Sequence, residues 1–370
     1  MSKAQKYRIL IGGGGTGGHV FPAISIANAL KEQLPNAEFL FVGAQGRLEM
    51  EKVPQSGYKI VGLPVAGFQR RLTWKNFTFF VKLIRSMIIA QGVIKKFRPQ
   101  VAIGVGGYAS GPVLRAAARK KIPVILQEQN SYAGVTNRLL AKHAQKICVA
   151  FDGMEKYFPV DKILFTGNPV RQDLLLPEEA GAKSYANFGI QPNDQVVLLC
   201  GGSGGAGSLN DCIMDALERI GKSDYKLIWQ CGKHYYDSAR EALASSGVKN
   251  VLLHPFISEM NRAYQVADLI ISRAGAGTIS ELCIVGKPVI LVPSPNVAEN
   301  HQMKNARSLG DKNAAEIVAD DEIKIRLVDR VENILNDKEK RGMLSENIRK
   351  LAIPDSADRI ADEVIKVLEQ

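Results

Sequence analysis

The sequence predicts an α/β protein made of two Rossmann-like, doubly wound domains that face a cleft. Short β-branched runs alternate with helical patterns along the chain, which is typical of parallel strands joined by crossover helices. The pattern occurs twice, because each half begins with a strand that leads into a glycine-rich loop, residues 12–18 and residues 201–207. With 370 residues, the chain is also long enough to build two hydrophobic cores.

The strands are predicted from the β-branched runs. In the first half they are residues 8–11, 38–42, 101–105, 124–127 and 146–149. In the second half they are residues 196–200, 226–230, 251–253, 269–272 and 289–292. We place the domain boundary at Arg171, because residues 177–193 contain many turn formers without a sustained period. This gives domains of residues 1–171 and 172–354.

The C-terminal segment is predicted to form one more helix. Pro354 ends the preceding helical pattern, and Asp355 and Ser356 are residue types that cap helix N-termini. The helix should therefore cover residues 357–368.

Composition excludes several classes of protein. The chain is 46% hydrophobic and 23% charged, as in a soluble globular protein. Its five cysteines are odd in number and widely spaced, which favours a reducing compartment over a disulfide framework. The N-terminus lacks a signal-peptide pattern, and no run of about 18 apolar residues predicts a membrane span. We therefore expect any lipid contact to be peripheral.

The formal net charge of +11 indicates an anionic partner. Nucleic acid, an anionic membrane surface and a phosphorylated substrate all remain open on charge alone. The sequence contains no recognised nucleic-acid-binding module, so we do not expect nucleic acid to be a partner.

The first glycine loop, GGGGTGGHVFP at residues 12–22, leaves a strand and opens a helix. Backbone N–H groups and the helix dipole at such a place can bind phosphate. The loop lacks the Lys-Ser/Thr ending of a Walker motif. Val42 and Gly43 stand where dinucleotide-binding proteins need an acidic residue, which disfavours a nicotinamide cofactor. The alternative is a tight turn without a ligand.

Two further loops follow the same design, GVGGYASGP at residues 104–112 and GGSGGAGSL at residues 201–209. The first two loops should lie at one edge of one sheet, which suggests a diphosphate ligand. The third heads the second domain, where Ser203 could donate its hydroxyl. We therefore expect phosphate-binding loops on both walls of an interdomain cleft, although packing turns are the alternative.

A series of motifs runs through the chain in order: GGTGGHVFP at 14–22, GGYASGP at 106–112, EQNSYAGVTNR at 128–138, TGNPVR at 166–171, GGSGGAGSLN at 201–210, SRAGAGTISEL at 272–282 and ENHQMKNA at 299–306. Together they resemble the MurG family, the lipid-linked N-acetylglucosaminyltransferases of peptidoglycan synthesis. The resemblance implies the GT-B architecture, with the last helix, residues 355–370, packing back on the N-terminal domain. It also implies an inverting transfer from UDP-N-acetylglucosamine to undecaprenyl-diphosphate-linked N-acetylmuramoyl-pentapeptide.

The resemblance further implies which residues meet the substrates. The donor-binding residues would be Thr16, Gly17, Gly18, Asn130, Arg171, Ser203, Ile257, Ala276, Gly277, Thr278, Glu281 and Gln302. Within this set, Arg171 and Ser203 would meet the diphosphate, the backbone of Ile257 the uracil, and Glu281 the ribose hydroxyls. The acceptor diphosphate would meet Gly14, Gly15, Gly106, Gly107, Tyr108 and Ser110.

Several of these residues also have purely structural interpretations. Asn130 and Arg171 could stabilise a loop and the domain boundary, Glu281 could pair with a lysine, and Gln302 could be solvated. The sequence departs from the family at Gly204, where many members have Gln, and at Gln127 and Ser131, where others have His and Gly. Gly277 replaces a bulkier apolar residue. These differences concern the packing of the sugar.

The chemistry implied is metal-independent and needs no cofactor. The sequence contains no Asp-x-Asp pair to hold a metal-bridged diphosphate, so helix N-termini, loop amides and Arg171 would stabilise the leaving group. An inverting displacement needs one base to deprotonate the acceptor hydroxyl. Among the five histidines, His19 lies on a phosphate loop and is the candidate base. Binding of the acceptor diphosphate is its alternative role.

Residues 70–98 form a basic amphipathic stretch typical of an interfacial helix. The predicted membrane-contacting residues are Trp74, Phe77, Phe80, Lys82, Ile84 and Arg85. We expect them to dock on an anionic inner membrane surface, which would place the protein peripherally on the cytoplasmic face. A core helix with a solvated cationic face is the alternative. Other functions left open are a GT-B enzyme for a different lipid acceptor, such as a diacylglycerol, and a non-catalytic nucleotide-sugar-binding protein.

Overall fold

The computed structural model describes residues 6–65, 74–171, 174–175, 181–202 and 204–370, with the backbone alone for residues 74–80 and Ala298. Two compact units divide the chain. Met1–Arg171 and Ile353–Gln370 form the first unit, and Gln172–Ala352 forms the second. The chain thus leaves the first unit at Arg171 and returns to it for its last helix.

The elements up to Arg171 alternate strictly between strand and helix until the last strand. They are β1 Arg8–Gly12, α1 Gly17–Gln33, β2 Glu38–Ala44, α2 Glu49–Gln55, β3 Lys59–Leu63, α3 Trp74–Phe97, β4 Val101–Gly104, α4 Ser110–Arg119, β5 Val124–Glu128, α5 Val135–Leu140, β6 Lys146–Val149 and β7 Ile163–Phe165.

The second part of the chain repeats this alternation and ends in three helices. Its elements are α6 Ala182–Phe188, β8 Val196–Cys200, α7 Gly207–Asp215, α8 Leu217–Gly221, β9 Lys226–Gln230, α9 Tyr236–Ser246, β10 Val251–His254, α10 Met260–Val266, β11 Leu269–Ser272, α11 Ala276–Val285, β12 Val289–Leu291, α12 His301–Gly310, β13 Glu316–Ile317, α13 Ile323–Asn336, α14 Lys338–Arg349 and α15 Ser356–Leu368.

Both sheets are parallel and doubly wound. The strand order is β3-β2-β1-β4-β5-β6-β7 in the first unit and β10-β9-β8-β11-β12-β13 in the second. In each, the order reverses beside the first strand, between β1 and β4 and between β8 and β11. Open α/β sheets bind ligands outside the carboxyl ends of the strands at this switch point. The predicted pair of Rossmann-like domains is therefore confirmed, and each domain has its own candidate binding edge.

Fully buried aliphatic strands form the centre of each unit. In the first sheet, solvent does not reach Ile9, Ile11, Ile103 or Ile125. In the second sheet, Leu199 is 0% exposed and Leu227 is 1% exposed. Such runs are typical of parallel strands covered on both faces by helices. All five cysteines are buried in these interiors and none forms a disulfide.

Helix α15 packs on α1 in the first unit. Its apolar face, Ile360, Ala361 and Val364, belongs to the same buried cluster as Ala27 and Leu30 of α1. Gly167 also lies against Ile353, where a Cβ would come within 2.9 Å of the isoleucine side chain. Burial of apolar surface contributes about 25 cal/mol per Å² to the free energy of folding. The packing of α15 on α1 therefore stabilises the first unit.

The structure adds three strands to those predicted and shifts several ends by one or two residues. β3, β7 and β13 were missed because all three are edge strands, are less buried than the inner strands, and in two cases have three residues or fewer. The start of α15 also differs from the prediction. Asp355 stands at the N-cap, so the helix begins at Ser356, one residue before the predicted start. The Asp355 carboxylate pairs with Arg359 at 2.9 Å and makes no cap hydrogen bond.

Candidate functional site

The first glycine loop connects β1 to α1 and is held by a carboxylate. Gly14 and Gly15 have positive φ angles of 141° and 98°, a region that favours glycine. The N–H of Gly15 donates to Glu49 Oε2 at 2.8 Å, and the N–H of Ala44 donates to Glu49 Oε1 at 2.8 Å. Since Glu49 is 1% exposed, the loop is tied to the end of β2 through a buried side chain.

The second glycine loop, after β4, contacts the first. Gly107 has a φ of +84°, and a Cβ there would collide with the carbonyl oxygen of Gly14. A Cβ on Gly106 would lie 2.9 Å from Nε2 of His19. The hydroxyl of Ser110 donates to the carbonyls of Gly106 at 2.6 Å and Gly107 at 3.0 Å, which closes the turn before α4. The two predicted phosphate loops thus meet at the switch point.

His19 lies in the first turn of α1, with its ring beside the second loop. Thr16 is the N-cap of this helix, and the N–H of His19 donates a hydrogen bond to the Thr16 carbonyl at 3.1 Å. The Thr16 hydroxyl is 3.1 Å from Nδ1 of the His19 ring. This contact orients the imidazole so that Nε2 faces Gly106. A partly exposed imidazole at this place could exchange a proton with a bound hydroxyl.

A buried polar network lies beside these loops at the end of β5. Glu128 accepts hydrogen bonds from the N–H of Gly134 and from Asn137 Nδ2, both at 2.9 Å, and from the N–H of Asn130 at 3.1 Å. Burial raises the pKa of Glu128, although these hydrogen bonds favour its charged form. Gln129 donates to the carbonyl of Val105 at 2.8 Å. The network therefore fixes the loop of Asn130 against the second glycine loop.

The network also anchors the segment that leads to Arg171. Gln127 donates to Asn168 Oδ1 at 2.9 Å, and Asn168 donates to the carbonyl of Gln129 at 3.0 Å. Gln127 thus has a structural partner where other family members were expected to carry His.

A cavity of about 490 Å³ lies at the switch point of the second unit. The described residues lining it follow the ends of five strands, β8, β9, β11, β12 and β13. They are Gly201, Gly202, Gly205, Ala206, Gly207, Ser208, Tyr235, Arg273, Gly275, Thr278, Ser294, Asn296, Gln302 and Asp320. A Cβ on Gly205 would collide with the carbonyl of Cys231, so the third glycine loop approaches its neighbour more closely than any other residue would permit.

A cation held by several partners lines this cavity. Arg273 Nη1 lies 2.5 Å from Asp320 Oδ1 and 3.1 Å from the carbonyl of Val292, and Nη2 lies 2.7 Å from Ser208 Oγ. The Ser208 hydroxyl donates to Asp320 at 2.7 Å. The side chains of Arg273 and Asp320 are 13% and 18% exposed. The cavity thus offers a fixed guanidinium beside a glycine loop and the N-terminus of α11, a combination suited to phosphate.

Of the predicted donor residues, Thr278 and Gln302 line the cavity. Gln302 Oε1 accepts a hydrogen bond from the N–H of Ser294 at 2.8 Å, which holds the side chain at the cavity wall. Ala276 and Gly277 form the first turn of α11. Ser203 lies outside the described residues.

Glu281 and Ile257 lie outside the described lining of the cavity. Glu281 is partly buried, with the Tyr264 hydroxyl 3.5 Å from its Oε2. The N–H of Ile257 already donates to Gln230 Oε1 at 2.9 Å. Thr16, Gly17, Gly18 and Asn130 belong to the first unit.

Helix α3 contains the predicted membrane-contacting residues. Val81, Ile84 and Ile88 are 52%, 60% and 65% exposed along one side of the helix, and Lys82 and Arg85 beside them are also exposed. Ala90 and Ile94 bury the opposite side. The side chains of Trp74, Phe77 and Phe80 lie outside the described ones. Within the described parts of the chain, no helix has the length and apolar content needed to cross a membrane.

Sequence reasoning missed Glu49, Arg273 and Asp320. Arg273 was inside a quoted motif, and its position directly after a buried strand was a usable signal. Glu49 and Asp320 gave no such signal, because their partners are 34 and 47 residues away. Among the residues that the structure describes, no three His, Cys, Asp or Glu side chains lie together as a metal site would require.

Comparison with protein families gives two matches. The Glycosyltransferase family 28 N-terminal domain matches residues 9–149, and the Glycosyltransferase family 28 C-terminal domain matches residues 196–360. The first match runs from β1 to β6 of the first sheet, and the second covers all six strands of the second sheet.

Curated relatives align over nearly the whole chain. The UDP-N-acetylglucosamine–N-acetylmuramyl-(pentapeptide) pyrophosphoryl-undecaprenol N-acetylglucosamine transferase of Bacteroides thetaiotaomicron is 55% identical, over 99% of both chains. The protein of the same name from Parabacteroides distasonis is 54% identical, over 99% of this chain and 100% of its own.

Among solved structures, Acinetobacter baumannii MurG superposes with a TM-score of 0.78 at 27% identity, over 98% of this chain and 100% of that one. The two parallel sheets and this likeness confirm the GT-B fold.

Proposed function

Because this chain belongs to glycosyltransferase family 28 and, within it, to the UDP-N-acetylglucosamine–N-acetylmuramyl-(pentapeptide) pyrophosphoryl-undecaprenol N-acetylglucosamine transferases, we infer that it is the glycosyltransferase that converts lipid I to lipid II. The donor is UDP-N-acetylglucosamine, and the acceptor is undecaprenyl-diphosphate-linked N-acetylmuramoyl-pentapeptide. The observation that carries this inference is the pair of phosphate-suited sites, one at each switch point, in a chain that matches these relatives from end to end.

The second unit, residues 172–354, is the donor domain in this proposal. Its cavity of about 490 Å³ has the size of a nucleotide-sugar pocket. The donor diphosphate would lie against the third glycine loop, with Ser203, and against the first turn of α11, with Ala276, Gly277 and Thr278. Glu281 would accept hydrogen bonds from the ribose hydroxyls, and Ile257 would present its backbone to the uracil. Gln302 would donate to the sugar.

The first unit is the acceptor domain. The acceptor diphosphate would lie where the two glycine loops meet, beside Gly14, Gly15, Gly106, Gly107, Tyr108 and Ser110. Because Gly15 already donates its N–H to Glu49, this loop would offer the diphosphate its other amides. Thr16, Gly17, Gly18, Asn130 and Arg171 would be the contribution of this unit to binding of the sugar diphosphate.

The transfer proposed is an inverting, in-line displacement. The acceptor hydroxyl attacks the anomeric carbon of N-acetylglucosamine, its proton passes to His19, and the bond to UDP breaks. The Thr16 hydroxyl beside Nδ1 supports this role, because it leaves Nε2 directed toward the acceptor loop. The negative charge that develops on UDP would be stabilised by the α11 N-terminus and by Arg171.

A UDP-release assay tests the function. Wild-type protein and UDP-N-acetylglucosamine are incubated with lipid-linked muramyl-pentapeptide, with a diacylglycerol, or with no acceptor. We expect release of UDP that requires the muramyl lipid. Release with diacylglycerol alone would indicate a different lipid acceptor, and binding without release would indicate a nucleotide-sugar-binding protein.

We also propose that the exposed face of α3 docks on the anionic cytoplasmic surface of the cell membrane. Three exposed apolar side chains beside two cations form a surface suited to the lipid interface. Trp74, Phe77 and Phe80, which the sequence predicts to contact the membrane, precede these residues on the same helix.

Vesicle sedimentation tests the docking surface. Ile84→Ser combined with Ile88→Ser and Lys82→Glu should weaken binding to anionic vesicles by about tenfold or more, since each buried apolar side chain and each cation contributes on the order of 1 kcal/mol. Activity on a soluble short-chain acceptor should persist. Ile325→Ser, at a residue of the second unit that is 78% exposed, is the matched control and should bind as wild type. Equal vesicle binding by both variants would place the docking surface elsewhere.

A further inference from the structure

Glu49 is a buried carboxylate that the transfer reaction does not use directly. It is the first residue of α2 and is 1% exposed. Its two oxygens accept hydrogen bonds from two different segments, the end of β2 at Ala44 and the first glycine loop at Gly15, each at 2.8 Å. Buried carboxylates are retained in proteins only when their oxygens have partners. Here those partners are the backbone of the loop proposed to receive the acceptor.

Two glycines make room for this side chain. A Cβ on Gly14 would collide with the Glu49 carboxylate, and a Cβ on Gly43 would collide with its Cγ. Gly43 stands at the end of β2, where dinucleotide-binding folds place an acidic residue that reaches a ribose. In this chain the carboxylate enters the same region from α2 and is directed at the protein's own backbone.

The contact continues from Glu49 to the histidine. Gly15 directly precedes Thr16, which caps α1 and contacts the His19 ring at 3.1 Å. Gly14, on the other side, touches Gly107 through its carbonyl. A shift of Gly15 would therefore move the capping residue of α1 and the junction of the two glycine loops together.

We propose that Glu49 is a positioning residue for the transfer: its carboxylate clamps the first glycine loop so that His19 and the acceptor loops are held in register. The inference rests on the proposed function. Electrostatic attraction cannot be its basis, because a negative charge beside a diphosphate opposes binding. The contribution of the carboxylate is geometric, through its two hydrogen bonds.

Glu49→Gln tests the two hydrogen bonds of the clamp individually, because it can keep only one of them. The amide of glutamine has one acceptor oxygen, so it can keep the fully buried bond to Ala44 and must present N–H groups to Gly15. Glu49→Asp keeps the charge and shortens the reach. Both variants should lower kcat by about ten- to hundredfold, the size expected when reacting groups are misplaced by an ångström or less. The donor KM should stay near wild type, and the melting temperature should fall by a few degrees because a buried hydrogen bond is lost.

The matched control is Glu51→Gln, on the same helix but with an exposed side chain. It should leave kcat and KM unchanged. Unchanged kcat in both Glu49 variants would overturn the proposal, and so would a lowered acceptor KM with normal kcat in Glu49→Gln, which would indicate simple charge repulsion. A fall in melting temperature with normal turnover of the folded protein would assign Glu49 to stability alone and would also overturn it.

Hydrogen exchange tests the clamp without relying on activity. The Gly15 amide should exchange about tenfold faster or more in both Glu49 variants, since it loses its acceptor, and should be unaffected in Glu51→Gln. Unchanged exchange of Gly15 would refute the clamp. If the wild type released no UDP with the muramyl lipid, the proposed function would fail, while the exchange result would still decide whether the clamp exists.

Discussion

Replacement of Arg273 by methionine should destabilise the second unit because it leaves Asp320 without its cation. The side chain of Asp320 is 18% exposed and lies 2.5 Å from Nη1 of Arg273. Removal of one partner from a buried ion pair costs about 3–5 kcal/mol. Since both side chains retain some exposure, and Ser208 still donates to Asp320 at 2.7 Å, we expect about 2–4 kcal/mol.

Urea unfolding followed by tryptophan fluorescence measures this loss in the relevant unit. The sequence has two tryptophans, and Trp229 is fully buried in the second unit. In a Trp74→Phe background, emission therefore reports on Trp229 alone. With an m-value of about 2 kcal/mol per M of urea, the midpoint for Arg273→Met should fall by about 1–2 M.

Lys324→Met is the matched control. It breaks the ion pair between Lys324 and Asp215, whose atoms are 2.6 Å apart but whose side chains are both 61% exposed. Exposed pairs contribute little because water and salt screen them, so its midpoint should stay at the wild-type value. Equal midpoints for Arg273→Met and Lys324→Met would refute the conclusion that the partly buried Arg273–Asp320 pair stabilises the second unit.

Two further predictions concern the reaction. His19→Ala should lower kcat by about a hundredfold or more and leave the donor KM unchanged, because a general base acts in the transition state; a loss confined to the acceptor KM would instead make it an acceptor-binding residue. Glu281→Ala should lower kcat/KM for the donor by about ten- to hundredfold, the equivalent of one charge-assisted hydrogen bond of about 1.5–3 kcal/mol. It should also discriminate less between UDP-N-acetylglucosamine and its 2′-deoxy analogue, and an unchanged ratio would remove Glu281 from the ribose site.

The inner strands could be predicted from the sequence because they are continuous apolar runs. Residues 146–149, 196–200 and 226–230 were predicted with the bounds that the structure has. The edge strands could not be predicted in this way. β13 has two residues, and β3 contains Gly62 and is only partly buried before Leu63, so neither shows the continuous buried apolar run of the inner strands.

The glycine loops could likewise be located from the sequence, since parallel strands bring their carboxyl ends to one edge. What the sequence could not give is the set of side chains that hold those loops. Glu49 reaches Gly15 across 34 residues, and Arg273 reaches Ser208 across 65. Such contacts depend on the packing of crossover helices, which no local pattern specifies.

The buried cysteines make this protein convenient for site-specific labelling. Burial raises the pKa of Cys148, Cys200 and Cys283 to about 12 and that of Cys212 to about 11, and it also raises the pKa of Cys231. At neutral pH the reactive thiolate is therefore scarce, and maleimide reagents cannot reach it.

A cysteine introduced at Val160, which is 72% exposed in the first unit, and another at Ile325, 78% exposed in the second, would accept a dye pair without removal of any native thiol. Energy transfer between the dyes would then follow the separation of the two units as UDP-N-acetylglucosamine is added.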